Sequence, residues 1–191
     1  AVPGNHEFDF GPENFYEKMK ASKYPWAAIN ITKDDGSAIE GLGGVMVKDV
    51  GGLKVALVPV AQDTSPEVSS TGSLKFLPTV DTAIAAAEKA REDGADIVVA
   101  VVQTDMENDR ALIKSHKFDL VLSGDDHSYA TAYDGVTAYV ETSIDGQFLT
   151  PVDLTVEVGE KDGKKTISWT PAFRFIDTAT VAPDPDSQAM A

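Results

Sequence analysis

Residues 95–102, Ala-Asp-Ile-Val-Val-Ala-Val-Val, constrain the fold more than any other stretch of the chain. A strand with one wet face alternates apolar and polar residues, whereas this run is apolar and β-branched almost throughout. It therefore predicts a strand covered on both faces. The residues before it supply one cover. Val80, Ala83, Ile84 and Ala87 form an apolar stripe at helical spacing within residues 78–93, and Gly94 is a natural stop. Residues 118–122 read as a second buried strand, ending in Ser123-Gly124. A helix capped by Asp105 or Asn108 and running through Ser115 joins the two strands. Strand-helix-strand units of this kind build layered α/β structures.

The flanking segments add elements. Residues 12–22 predict a short helix with Pro12 near its start and Phe15 and Met19 on one face. Residues 24–31 are a strand candidate. Residues 44–50 and 53–60 form a hairpin around Gly51-Gly52. Residues 61–73 are polar and loop-like. Residues 130–142, 147–158 and 166–176 read as a β-meander with turns at Asp134-Gly135, Asp145-Gly146 and Asp162-Gly163. The expected organisation is one domain over 1–180 and a linker-like tail over 181–191. The expected class is α+β or α/β, with packed sheets and helices outside.

Charge narrows the function. The 191 residues carry 31 Asp and Glu against 16 Lys and Arg, a formal net charge of −15. Nucleic-acid polymers need clustered Lys and Arg, and the longest basic run, Lys161-Asp162-Gly163-Lys164-Lys165, looks like a hairpin turn. The acidic excess leaves carboxylates free for a hard cation. Cysteine is absent, which excludes disulfides and thiolate metal sites. No apolar run approaches the ~18 residues of a membrane span.

The chemistry-bearing residues begin with Gly4-Asn5-His6-Glu7-Phe8-Asp9. An Asn placed after a Gly can aim its carbonyl oxygen, a hard neutral ligand, at a cation. The neighbouring His6 can donate to a phosphoryl or leaving oxygen, and Asp9 can fix its tautomer. This string is similar to the signature of calcineurin-like metallophosphoesterases. Its extension through Phe8 and Asp9 resembles the bacterial 5′-nucleotidase branch. The resemblance implies that Asn5 is a metal ligand and that His6 and Asp9 are the catalytic dyad. Residues 24–30 resemble the strand that follows the first helix in that family. Asn30-Ile31-Thr32 also fits a glycosylation acceptor pattern, a common chance match.

Two later family elements recur with departures. Where the family has a strand ending in a metal-binding His, residues 97–102 are followed by Gln103. Where it has a buried strand and then Gly-His-x-His, this chain has Gly124-Asp125-Asp126-His127. Asp125 and His127 alternate, so an extended segment turns both to one side and Asp126 away. The implied metal set is Asn5, Gln103, Asp125 and His127, holding a divalent Mn, Zn, Mg or Ca ion. The replacements leave two readings open: an altered metal preference, or a degenerate site that no longer catalyses.

The resemblance further implies a four-layer sandwich of two mixed sheets flanked by helices. It implies a phosphate ester or nucleotide substrate and a periplasmic or secreted location. The family's Asp-x-His strand and Gly-Asp motif do not occur before Gly4. The expectation is thus a partial domain of a processed or proteolysed chain, lacking its N-terminal part. It would need a second chain or that segment, and would hydrolyse little by itself. The alternative class is a non-catalytic subunit or binding module that reuses the scaffold. A sulfur-ester hydrolase of the same broad family is a third reading.

Overall fold

The computed structural model of the chain describes residues 1–189. A 3-10 turn spans Asn5–Phe8. The helices are α1 (Pro12–Ala21), α2 (Ser65–Val68), α3 (Thr79–Glu92), α4 (Met106–Ser115) and α5 (Pro185–Gln188). The strands are β1 (Trp26–Ala27), β2 (Ile31–Thr32), β3 (Leu42–Gly43), β4 (Met46–Val50), β5 (Leu53–Ala61), β6 (Lys75–Phe76), β7 (Ile97–Gln103), β8 (Leu120–Ser123), β9 (Tyr129–Tyr133), β10 (Ala138–Thr142), β11 (Phe148–Leu149), β12 (Val152–Lys161), β13 (Lys164–Phe173) and β14 (Ile176–Asp177).

Six strands form one sheet in the order β4-β5-β7-β8-β10-β9. The inner neighbours β5, β7, β8 and β10 run parallel, and β4 and β9 close the edges antiparallel. The β-branched run sits near the middle as β7, and its two faces meet different covers. Val98, Ala100 and Val102 join Ala83, Ala87 and Ala90 of α3 and Leu112 of α4 in one core. Ile97, Val99 and Val101 face Val152, Leu154, Val156, Trp169 and Phe173 of the β12–β13 hairpin in another. Alternation of Cβ atoms along the strand produces this split. Each fully buried Val contributes about 1.5–3 kcal/mol relative to exposure. Parallel strands reached through helices, with covers on both faces, are the α/β arrangement expected from residues 78–122. The second sheet layer is the two-stranded β12–β13 ribbon.

Several segments depart from their sequence reading for identifiable reasons. The 24–31 strand is broken into β1 and β2. Asn30 lies at the break, fully buried, and its side chain replaces ladder bonds. Its Nδ2 donates to Ala61 O at 2.7 Å and Leu77 O at 3.1 Å, while its Oδ1 accepts from Ala61 N at 3.0 Å. That burial also removes Asn30 as a glycosylation acceptor in the folded chain. The 61–73 loop contains α2, begun by Pro66 in its first turn. The 147–158 strand is split between β11 and β12, with Pro151 between them and without an N–H to donate. The meander leaves the six-stranded sheet after β10, because among the described residues β12 pairs only with β13. The tail contains the single turn of α5, and positions 190 and 191 lie outside the described residues. No helix among the described residues is long and apolar enough to cross a membrane.

A third core anchors the N-terminal motif. Phe8, fully buried, meets Phe15 of α1 edge-to-face at 5.1 Å, and Phe15 meets Trp26 at 5.4 Å. Such pairs add about 0.5–1.5 kcal/mol each beyond area burial. They lock the 3-10 turn against the body, with Asn5 and His6 left on its outer side.

Candidate functional site

Three segments meet at the carboxyl ends of the parallel strands, where open α/β sheets commonly bind ligands. The first is the 3-10 turn, closed by Glu7 Oε2 accepting from Gly4 N at 2.6 Å. The second is the end of β7, which presents Gln103. The third is the turn after β8, which carries Asp125, Asp126 and His127. Gly4 lets the first two touch: a Cβ there would stand 3.2 Å from Gln103 Cγ. Asn5, His6, Gln103, Asp125 and His127 line one cleft of about 360 Å³, together with Val2, Gly4 and Glu7. All five residues singled out on these segments thus share one cleft. Asp9 stands behind His6.

The geometry among them is close. Gln103 Nε2 donates to Asn5 Oδ1 at 3.1 Å and also to Asp125 Oδ1. Gln103 Oε1 is buried without a partner. The 124–128 segment is a bend rather than the extended run expected from its alternation, and His127 has a left-handed φ of 58°. Asp125 and His127 face the cleft all the same. Asp126 turns away and accepts from Met106 N at the start of α4. Burial, then the charges of Asp126, Asp105 and Glu141, push the Asp125 carboxyl up.

His6 Nδ1 lies 2.8 Å from Asp9 Oδ2, and Asp9 Oδ1 accepts from Ser69 Oγ at 3.2 Å. The hydrogen bond to Asp9, and then its charge, raise the His6 pKa. The same bond holds the Asp9 carboxyl below its usual value. The His6 side chain is 76% exposed, so its Nε2 edge is open to a ligand. Sequence reading missed Ser69, which lies sixty residues away on the turn after α2 and carries no local signal. It also missed Asp126 as a cap. Asp105 caps α4 as expected and also accepts from Gln62 Nε2 at 3.0 Å.

The donor set has a specific relation to a cation. Among the described residues, no three His, Cys, Asp or Glu side chains gather closely enough to hold a metal ion. Within the cleft, the set Asn5, Gln103, Asp125 and His127 offers one carboxylate, one imidazole and two amides. Hard oxygen donors of this kind suit Mg, Mn or Ca better than Cu or a thiolate-seeking ion. The orphaned Gln103 Oε1 bears on the fit. Turning that amide by half a rotation would set Gln103 Oε1 beside the Asn5 and Asp125 oxygens. Those oxygens need a cation between them, and the exchange sets Nε2 in the position that has no partner. The residues present fit one hard divalent ion with incomplete coordination.

Comparisons with known proteins give the family and the fold. The family model for calcineurin-like phosphoesterases matches residues 1–129. An apyrase of Tabanus yao is 27% identical over 171 residues, covering 86% of this chain and 29% of that protein. A putative 5′-nucleotidase of Staphylococcus aureus superposes with a TM-score of 0.81 at 20% identity, covering 99% of this chain and 40% of that one. The sulfate thiohydrolase SoxB of Thermus thermophilus gives 0.81 at 24% identity, covering 99% and 34%. The chain thus spans under a third of the length of the apyrase and well under half of either solved structure. With residues 1–129 of its 191 matched by the family model, this chain belongs to the calcineurin-like phosphoesterase family.

Proposed function

We propose that the cleft belongs to a divalent-metal-dependent hydrolase of phosphoric esters, of the 5′-nucleotidase or phosphomonoesterase type. One observation carries the reading: Asn5, Gln103, Asp125 and His127 line the same cleft as His6, which Asp9 orients. Asn5, Gln103, Asp125 and His127 are the metal ligands of this reading. A divalent cation bound there supplies Lewis-acid polarisation of a phosphoryl oxygen and lowers the pKa of a bound water. His6, held as the imidazolium with Nδ1–H donated to Asp9, directs Nε2–H at the leaving or equatorial oxygen. The neutral amides of Asn5 and Gln103 leave more positive charge at the cation than carboxylates would. Nucleotides are the substrate class supported by the apyrase and 5′-nucleotidase likenesses. Further ligands come, in this reading, from polypeptide outside the chain, since one carboxylate and one imidazole do not complete a two-metal site. The motif resemblance supports a periplasmic or secreted location.

The test is hydrolysis of an aryl phosphate with added Mn²⁺, beside metal analysis of the purified protein. Expected are bound metal and Mn²⁺-stimulated hydrolysis, both lost in Asp125→Ala. Full metal occupancy with no hydrolysis of any phosphoester, even with the polypeptide that completes the ligand set present, would overturn the reading. A second reading, a binding module on the same scaffold, is favoured by one detail. The Gln103 amide nitrogen sits between the Asn5 and Asp125 oxygens, where it satisfies both without a cation. Absence of bound metal after incubation with excess Mn²⁺ selects that reading.

A further inference from the structure

A second group of titratable side chains lies behind the cleft, and the proposed chemistry does not use it. Asp109 of α4 and Glu141 of β10 are each 1% exposed. Neither has an ion-pair partner among the described residues. Tyr139 stands between them, its hydroxyl 2.9 Å from Asp109 Oδ2 and 3.1 Å from Glu141 Oε2. The outer oxygens are held as well. Asp109 Oδ1 accepts from Ser123 Oγ at 2.8 Å, and Glu141 Oε1 accepts from Ser128 N at 3.1 Å.

Counting hydrogens fixes the protonation. A phenol donates once. With both carboxyls ionised, two anionic oxygens would face one donor, and one of them would be left buried against lone pairs. One added proton satisfies every contact. Asp109 Oδ2–H donates to the Tyr139 oxygen, and Tyr139 O–H donates to Glu141 Oε2. Asp109 is the carrier, because burial pushes its carboxyl up to about 7, and the charges of Glu141 and Asp126 add to the effect. Asp125 also lies in electrostatic reach of Glu141.

The chain of contacts ends at a meaningful place. Ser128 follows His127, whose left-handed φ of 58° is costly for a residue with a Cβ. Ser128 is pinned twice: its N–H by Glu141, and its carbonyl by Ser143 N at 2.8 Å. We propose that Glu141 is a positioning residue for His127, and that Asp109, Tyr139 and Glu141 form a one-proton chain bracing that turn. What His127 does in the cleft rests on the hydrolase reading; the brace itself does not.

The experiment uses the full chain without metal, at about pH 6. Asp109→Asn places an N–H where the shared proton stands; Glu141→Gln donates its own N–H to the Tyr139 oxygen and turns the phenol toward an ionised Asp109, so each keeps every contact. Together they supply one hydrogen too many and strand the Tyr139 hydroxyl without an acceptor. Expected are single variants that melt within about 2 °C of wild type and a double variant about 4–8 °C below their sum. The chain has three histidines, so their ring NMR signals are readily separated. Glu141→Val shifts the His127 signals and leaves those of His6 and His116 in place, while Glu141→Gln restores them. Additive melting in the double variant overturns the one-proton chain. Unmoved His127 signals in Glu141→Val overturn the positioning role, and if that variant does not fold, His127 signals in the double variant decide it. Loss of hydrolysis alone touches only the hydrolase reading, because both readouts are metal-free.

Discussion

His6 combines an open ring with a fixed partner. Its side chain is mostly solvent-facing, yet Nδ1 is held 2.8 Å from Asp9 Oδ2. A histidine serving only the fold has no need of that exposure. His6→Ala is expected to lower turnover about 100-fold or more with bound metal unchanged, because the imidazole acts on substrate rather than on the cation. Turnover equal to wild type would remove His6 from the mechanism. Asp9→Asn keeps the size but not the charge, and about a 10-fold or greater loss is expected there. Asp109 makes a separate prediction about stability. Its folded-state pKa of about 7 lies above the ordinary carboxylate value. Between roughly pH 4 and pH 7 the folded chain holds a proton that the unfolded chain has released. Stability therefore falls as pH rises through that window and levels off above it. Asp109→Asn cannot ionise, so its melting temperature should gain several degrees on wild type between about pH 4.5 and pH 7.5. A constant difference across that range would show that Asp109 does not hold the proton.

The start of α4 joins structure to site. Asp105 Oδ1 accepts from Asn108 N at 2.9 Å, and its Oδ2 accepts from Gln62. Asp126 holds Met106 N from the site turn. Asp105→Ala removes a cap worth about 1 kcal/mol, a drop of about 2–4 °C in melting temperature for a chain of this size. A drop no larger than experimental scatter would mean that Asp126 and water replace the cap. Gly4→Ala tests the approach of the 3-10 turn to β7. The new Cβ would press on Gln103 Cγ at 3.2 Å, and Mn²⁺ affinity is expected to fall several-fold with melting nearly unchanged. These elements differ in how much of them the sequence betrayed. Asp105 was legible as a cap because it precedes an amphipathic run. The β7 strand was legible because burial on both faces leaves an unbroken apolar string. Asp109 and Glu141 were hidden: each sits at an inward register among apolar neighbours, a pattern that looks like an error until its partner is known. Ser69 could not be found at all, since only tertiary folding brings it to Asp9. The bend at 125–127 was misread because alternation presumes extended backbone, and the left-handed conformation of His127 leaves no mark on residue type.

The molecule carries a net charge of −15, and part of that excess is concentrated where Asp125, Asp126, Asp105 and Glu141 influence one another. Folding brings these groups together, and the unfolded chain keeps them apart. A cation that binds the assembled cleft therefore stabilises the folded state by linkage. At 100 times its dissociation constant it adds about 2.7 kcal/mol, about 5–10 °C for a chain of this length. Unfolding followed in EDTA and then with Mn²⁺, Mg²⁺, Zn²⁺ or Ca²⁺ should show this rise for at least one hard ion. The rise should vanish in Asp125→Ala, which removes the carboxylate of the donor set. In Gln103→His it should shift in favour of Zn²⁺, because an imidazole there replaces a hard amide oxygen with a softer nitrogen. A melting temperature that no divalent ion moves, in a protein that is folded, would mean that the Gln103 amide has taken the cation's place between Asn5 and Asp125. The family fold would then be serving a purpose other than metal-assisted hydrolysis in this chain.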